Sequence, residues 1–193
     1  MGKKTTDMPS YEQLESEIRR VTYRSKYKAV LKSTIYTLIT VAAVAVLVAT
    51  LWLPVLQIYG SSMTPTLQDG EIVFSVKTTQ MEQGDIIAFY YNYKILVKRV
   101  IANPGDWVNI CPETGNVFIN DALLEEPYIQ EKSFGEADIE LPYQVPDRKI
   151  FVMGDHRSTS VDSRHTAVGC VGEEQIVGKI IFRVWPLNRL GGC

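Results

Sequence analysis

TIYTLITVAAVAVLVATLWL, from Thr34 to Leu53, is twenty residues without a single charge. Coiled as an α-helix at about 1.5 Å per residue, it covers about 30 Å, the thickness of a bilayer's hydrocarbon core. Tyr36 and Trp52 stand near its two ends, where amphipathic rings settle at the headgroup boundary. Pro54 follows, and proline cannot continue a helical hydrogen-bond ladder. A buried core helix is the competing reading, but few soluble helices are this long and apolar on every face. A cleaved leader has an apolar core of only about 7–15 residues behind a short charged region. Here 33 residues precede the apolar run, so a retained transmembrane anchor over 34–54 is expected.

Charge is distributed unevenly around this span. Residues 1–33 carry eight Lys/Arg, among them Lys3, Lys4, Arg19, Arg20, Arg24 and Lys32, against four acids including Asp7. Residues 34–68 carry none, and the remainder holds twelve basic and eighteen acidic residues. Basic residues ahead of a span stay in the cytoplasm, which sends residues 55–193 to the far side. Tyr11, Leu14, Ile18 and Val21 recur at helical spacing and predict an amphipathic helix that leads into the anchor. Its basic face is suited to anionic headgroups, or simply to solvent. The negative outer region has no basic stripe, which argues against nucleic acid as a partner. A chain of 193 residues, 46% of them hydrophobic, fits one compact domain plus this extension and excludes a disordered protein.

After Pro54 the helical period disappears. Short β-rich runs appear at Glu71–Lys77, Asp85–Tyr91, Ile95–Ile101, Trp107–Ile110, Asn116–Asn120, Lys149–Met153 and Lys179–Trp185. They are punctuated by Asp69-Gly70, Gln83-Gly84, Pro104-Gly105, Thr114-Gly115 and Asn120-Asp121. The expected fold is mainly β, a single antiparallel, barrel-like domain over 55–193 behind one N-terminal transmembrane helix. Residues 121–147 are acidic and poor in pattern, and read as an exposed loop or hairpin insertion. Cys111, Cys170 and Cys193 have no C-x-x-C spacing, and pairing of Cys111 with Cys170 is open. With two histidines and no H-E-x-x-H, neither a metal nor another cofactor is implied.

Three stretches carry residues suited to chemistry. Ile58-Tyr59-Gly60-Ser61-Ser62-Met63-Thr64-Pro65-Thr66-Leu67 is, by itself, a serine in a turn. In Leu96-Val97-Lys98-Arg99-Val100-Ile101 a lysine interrupts an apolar strand, which alone describes an outward-facing lysine. Gly154-Asp155-His156-Arg157-Ser158-Thr159-Ser160-Val161-Asp162-Ser163-Arg164 places two Asp-x-Arg pairs and four hydroxyls just after a predicted strand, and alone describes a loop held by ion pairs.

Together, in this order and behind an anchor, the three resemble the type I signal peptidases, membrane-bound serine proteases that cut signal peptides from exported proteins. The single span and small size are similar to the Gram-positive forms. The resemblance implies a nucleophile at Ser62 and a general base at Lys98, with no catalytic histidine. A lysine is protonated at neutral pH at its reference pKa of about 10.4, so the chemistry requires that burial disfavour its ammonium. Lys98 is therefore expected to be desolvated and within proton-transfer distance of Ser62. The resemblance implies that Ser160 hydrogen-bonds the lysine and that Asp155, Arg157, Asp162 and Arg164 hold the surrounding loop. Asp162 with Arg164 is the expected structural ion pair, and Asp155 the expected support for the catalytic region. Some family members have a serine two residues before the nucleophile as an oxyanion donor; here Gly60 stands there. The Ser62 backbone N–H is then the main donor, with the Gly60 amide or a water as the second.

Signal peptides end in a small–x–small pattern, which calls for shallow apolar pockets. The resemblance assigns these to Ile58, Tyr59, Met63, Leu67, Leu96 and Val97, with Leu67 equally suited to the core. Substrate would lie as an extended strand against edges flanking Gly60 and Lys98. Ser62 follows Leu53 by nine residues, a reach of at most about 30 Å, so cleavage is expected close to the outer membrane boundary. Secretory preproteins and the bilayer are thus the expected partners. Two other readings stay open here. One is a Ser-His-Asp hydrolase using His156 or His165 with Asp155 or Asp162; the other is a non-catalytic, membrane-anchored binding domain.

Overall fold

The computed structural model describes residues 8, 10–52, 54–78 and 80–193, in two compact units, Met1–Val48 and Ala49–Cys193. Lys3, Lys4, Asp7 and Leu53 lie outside the described residues.

Helix α1 (Tyr11–Trp52) is one uninterrupted helix of 42 residues, not two pieces. Ser10 starts it with a reciprocal cap: the Gln13 N–H donates to Ser10 Oγ at 3.3 Å, and the Ser10 N–H donates to Gln13 Oε1 at 3.1 Å. Pairs one turn apart, Glu15 with Arg19 and Glu17 with Arg20, line its polar part. In the apolar part Thr34, Thr37 and Thr40 each turn the hydroxyl back onto the carbonyl four residues earlier, at 2.9–3.0 Å. These three hydroxyls are therefore satisfied inside the helix. By length and composition this helix is able to cross a membrane.

The second unit is built from antiparallel strands: β1 (Val55–Gln57), β2 (Ile72–Val76), β3 (Ile86–Tyr91), β4 (Lys94–Ala102), β5 (Trp107–Ile110) and β6 (Val117–Ile119) come first. Then follow β7 (Ala122–Leu123), β8 (Tyr143–Gln144), β9 (Lys149–Met153), β10 (Val171–Gly172), β11 (Ile176–Trp185) and β12 (Gly191–Gly192). One sheet runs β1-β2-β11-β3-β4-β9-β10, with β12 added to β11; the other runs β7-β6-β5-β8. The mainly β, antiparallel expectation is met. No ring of strands closes into a barrel among the described residues.

The register of β4 positions the site. Lys94–Arg99 pair with β3, but pairing with β9 begins only at Arg99. The outer edge of β4 is thus without a strand partner from Lys94 to Lys98 among the described residues. The β3–β4 turn, Asn92-Tyr93, has both residues at positive φ (43° and 62°), the conformation that matches a tight hairpin to strand twist.

The 121–147 stretch departs from its expectation. Leu124, Phe134, Ile139, Leu141 and Tyr143 pack against the cluster around Val108, Ile110 and Phe151, and Glu126 is only 7% exposed. Scattered apolar residues at no fixed period cover a core as well as periodic ones when no regular element constrains them. The three cysteines are free, so the Cys111–Cys170 pair is not formed.

Candidate active site

The Ser62 loop is drawn into a closed turn by backbone bonds at its ends. The Ile58 N–H donates to Glu71 O at 2.8 Å, and the Gly70 N–H donates to Ile58 O at 2.9 Å. Met63 and Leu67 sink into the core at 1% and 0% exposure, on either side of the turn. Gly60 sits at φ +85°, a conformation that favours glycine. Its N–H donates to Asp69 Oδ1 at 2.7 Å, so of the two second oxyanion donors expected, the Gly60 amide or a water, the amide is already committed. The N–H of Ser62 has no partner among the described residues.

Lys98 comes from β4, and its Nζ lies 2.6 Å from Ser62 Oγ. The lysine is 3% exposed. Burial lowers its pKa to about 8; Arg164 adds to this, while Asp162 and Asp155 pull the other way. At neutral pH a useful fraction of the amine is then free of its proton.

The third stretch docks against the first. The His156 N–H donates to Ser62 O at 3.0 Å. A Cβ at Gly154 would sit 2.5 Å from Ser62 O and collide with the Ser160 hydroxyl. Gly154→Ala is therefore expected to wedge the two loops apart, costing about 1–3 kcal/mol and reducing turnover; thermal melting and peptide-bond cleavage, measured on the same preparation, check this.

The ion pairs are arranged differently from the sequence pattern. Asp162 and Arg164 do pair, with Arg164 Nε donating to Oδ1 at 2.8 Å and Nη2 to Oδ2 at 2.9 Å. Burial pushes the Asp162 carboxyl up, but Arg164, the Gly154 N–H and the nearby Ser160 hydroxyl together hold it below the usual range. Asp155 and Arg157 do not pair with each other. Asp155 takes a bidentate bond from Arg99, at 2.9 and 2.7 Å, and Arg157 pairs with Glu126. An Asp-x-Arg spacing can close on itself, but here each buried group finds a better-placed partner from another element.

The Ser160 hydroxyl, expected to bond the lysine, is buried and faces Asp162 instead, and it makes no hydrogen bond to Lys98 among the described residues. Among the described residues the lysine's side-chain bond goes to Ser62.

Sequence reasoning missed Arg99, Glu126, Tyr128 and Thr66. The Tyr128 ring stacks on the Arg99 guanidinium at 3.9 Å, and the Thr66 hydroxyl donates to Asp155 Oδ2 at 2.5 Å. The available signal was Arg99 itself: a second cation beside Lys98 in an apolar strand needs a buried counterion. Of the histidines, His156 Nδ1 lies 3.3 Å from Thr64 Oγ1, and His165 makes no hydrogen bond through its ring. Neither bonds Ser62 Oγ. Among the described residues no group of three His, Cys, Asp or Glu is placed to hold a metal ion.

A cleft of about 650 Å³ opens beside Ser62 and Lys98. Ile58, Tyr59, Met63, Leu96 and Val97 all line it, together with β1 and the unpaired stretch of β4. Leu67 does not; it is fully buried against Val73, Ile86 and Ile180, so its role is core packing.

Comparison with known proteins places this geometry in context. The family described as "Signal peptidase, peptidase S26" matches residues 31–185. The chain is 36% identical over 144 residues to a signal peptidase I of Bacillus licheniformis, covering 68% of this chain and 76% of that one. It is 37% identical over 153 residues to signal peptidase IB of Staphylococcus aureus, covering 68% and 78%. A crystal structure of a signal peptidase I from Enterococcus faecalis is 28% identical, with a TM-score of 0.42 over 52% of this chain and 96% of that one.

Proposed function

This chain belongs to the signal peptidase family, peptidase S26, and from that premise we propose that Ser62 and Lys98 are its catalytic dyad. It is a membrane-bound serine endopeptidase that removes signal peptides from exported preproteins. The observation that carries the dyad is the 2.6 Å approach of Nζ to Oγ at a lysine only 3% exposed.

The chemistry follows from that pair. Neutral Lys98 takes the Ser62 proton as Oγ attacks the scissile carbonyl. The tetrahedral oxyanion is held by the unpartnered Ser62 N–H. The lysine ammonium passes its proton to the leaving amine, which frees an acyl-enzyme and restores the base. Lys98 then deprotonates a water that attacks the ester, and Ser62 regains its proton as the signal peptide departs. Asp155, Arg157, Asp162, Arg164 and Ser160 act by holding the loops, and Gly60 by shaping the turn.

In this reading the substrate lies extended along Lys94–Lys98, adding a strand to the free edge of β4. The residues at −1 and −3 face Ile58, Tyr59, Met63, Leu96 and Val97, whose apolar surface suits small side chains. The helix spans the membrane once over 34–54, with 1–33 cytoplasmic and 55–193 outside. The supporting argument is the basic excess before the span. Anchoring enzyme and precursor in one bilayer raises their effective concentration, so modest intrinsic affinity suffices.

The test is cleavage of a model preprotein by the full chain in detergent. Wild type should cut after the small–x–small motif, Ser62→Ala should not, and a variant with both histidines changed to Ala should retain activity. The kcat/KM profile should rise with unit slope to a midpoint near pH 8, the value that burial sets for Lys98. A midpoint near 10, or cleavage by Ser62→Ala, would refute the dyad.

A further inference from the structure

Glu71 has no part in the chemistry above, yet its side chain is 3% exposed and both of its carboxylate oxygens are ion-paired. Arg183 Nη1 donates to Oε2 at 2.9 Å, and Arg189 Nη1 to Oε1 at 2.6 Å. The same guanidiniums reach on to the loop that follows the nucleophile. Arg183 Nη1 donates to Thr66 O at 2.8 Å, and Arg189 Nη2 to Pro65 O at 3.1 Å. Arg183 Nε also donates to Arg189 O at 2.8 Å, tying the chain after β11 back onto the strand.

Thr66 is held from the opposite side as well. Its hydroxyl donates to Asp155 and accepts from Arg99 Nη2 at 3.3 Å, next in sequence to Lys98. The residues after Ser62 are thus gripped between two charge networks. One belongs to the lysine strand and the Asp155 loop; the other has Glu71 at its centre.

We propose that Glu71 is a positioning residue for the nucleophile: its carboxylate gathers Arg183 and Arg189 onto the carbonyls of Pro65 and Thr66, and so holds the Ser62 loop against Lys98. The proposal rests on the Ser62–Lys98 reading. Without the carboxylate, two neighbouring guanidiniums repel each other and separate. The carbonyls then lose their donors and the loop is free to drift. A misplacement of about 1 Å at a reacting group costs up to about a hundredfold in rate.

The experiment measures kcat and KM for a model preprotein with the full chain in detergent, using wild type, Ser62→Ala, Glu71→Gln, Arg189→Ala and the double variant. Melting curves are recorded for each, and rates are taken well below the melting midpoint. Glu71→Gln and Arg189→Ala should each lower kcat by about ten- to hundredfold with KM within twofold. The double variant should be no worse than the poorer single one, because both changes break the same grip. If the single variants melt earlier but keep wild-type kcat, Glu71 is only structural and the proposal fails. If Glu71→Gln does not fold, Arg189→Ala, whose side chain is 29% exposed, decides the matter by the same kcat criterion. Inactive wild type, or active Ser62→Ala, would instead sink the dyad itself, so the two failures are distinguishable.

Discussion

Replacing Lys98 with methionine is expected to lower preprotein cleavage by about 10²–10⁴-fold, the contribution typical of a general base, while making the folded protein more stable at neutral pH. Both effects have one cause. The native state pulls the lysine's pKa from 10.5 down to about 8, chiefly because burial penalises the ammonium. The unfolded chain keeps the ordinary value, so between pH 8 and 10.5 it binds more protons than the native state. Wild-type stability therefore rises with pH across that window, and below pH 8 the full penalty applies. A shift of this size corresponds to about 3 kcal/mol, reduced by about 1 kcal/mol for the lost contact with Ser62. Methionine fills a similar volume without a charge, so Lys98→Met should gain about 2 kcal/mol at pH 7. Chemical denaturation at pH 7 and pH 10.5 provides the check: at the higher pH the burial penalty is nearly gone, so the gain should vanish or reverse by up to about 1 kcal/mol, the lost contact with Ser62. A variant less stable than wild type at pH 7 would show that the amine is not held against its solvation preference.

Glu126→Ala is the second large effect, expected to cost about 3–5 kcal/mol of stability by leaving a buried cation without its counterion. The side chains of Glu126 and Arg157 are both 0% exposed, and the guanidinium meets the carboxylate through two nitrogens. Arg157 Nε also donates to Gly154 O at 3.0 Å, and Arg157 O accepts from Arg164 Nη2 at 2.9 Å. Loss of the carboxylate should therefore loosen the loop that bonds Ser62 O, and activity should fall together with stability. Replacing both partners, as Glu126→Leu with Arg157→Met, should recover most of the stability, because a well-packed apolar pair avoids desolvating two charges. Equilibrium unfolding of the single and double variants gives the coupling. A single variant as stable as wild type would mean that water reaches Arg157.

Much of this fold was legible because its longer strands carry a pattern. The predicted runs coincide with β2, β3, β4, β5, β6 and β9 to within one or two residues, and the last run lies within β11. The strands that escaped, β1, β7, β8, β10 and β12, are only two or three residues long. Such segments contain no full alternation, and they exist because a neighbouring strand offers free backbone groups. The 121–147 region escaped for a related reason: its apolar residues follow the contour of a core, and a contour has no period. At the site, Ser62 and Lys98 were legible only through the family resemblance of the three stretches taken together, since each alone is a serine in a turn or a lysine on a strand. Glu126 and Glu71 were not, since an acid next to polar or turn residues reads as solvated surface.

The chain's order of residues determined the long apolar helix and the antiparallel β composition, because each is written locally, in hydrophobic run length and alternation. Tertiary structure alone decided which charges meet: Asp155 with Arg99 instead of Arg157, Arg157 with Glu126, Glu71 with two arginines near the end of the chain. It also committed the Gly60 amide to Asp69 and Leu67 to the core. Counterion choice depends on distances between residues up to 118 positions apart, set by how sheets and loops fill space, and no local spacing encodes those distances.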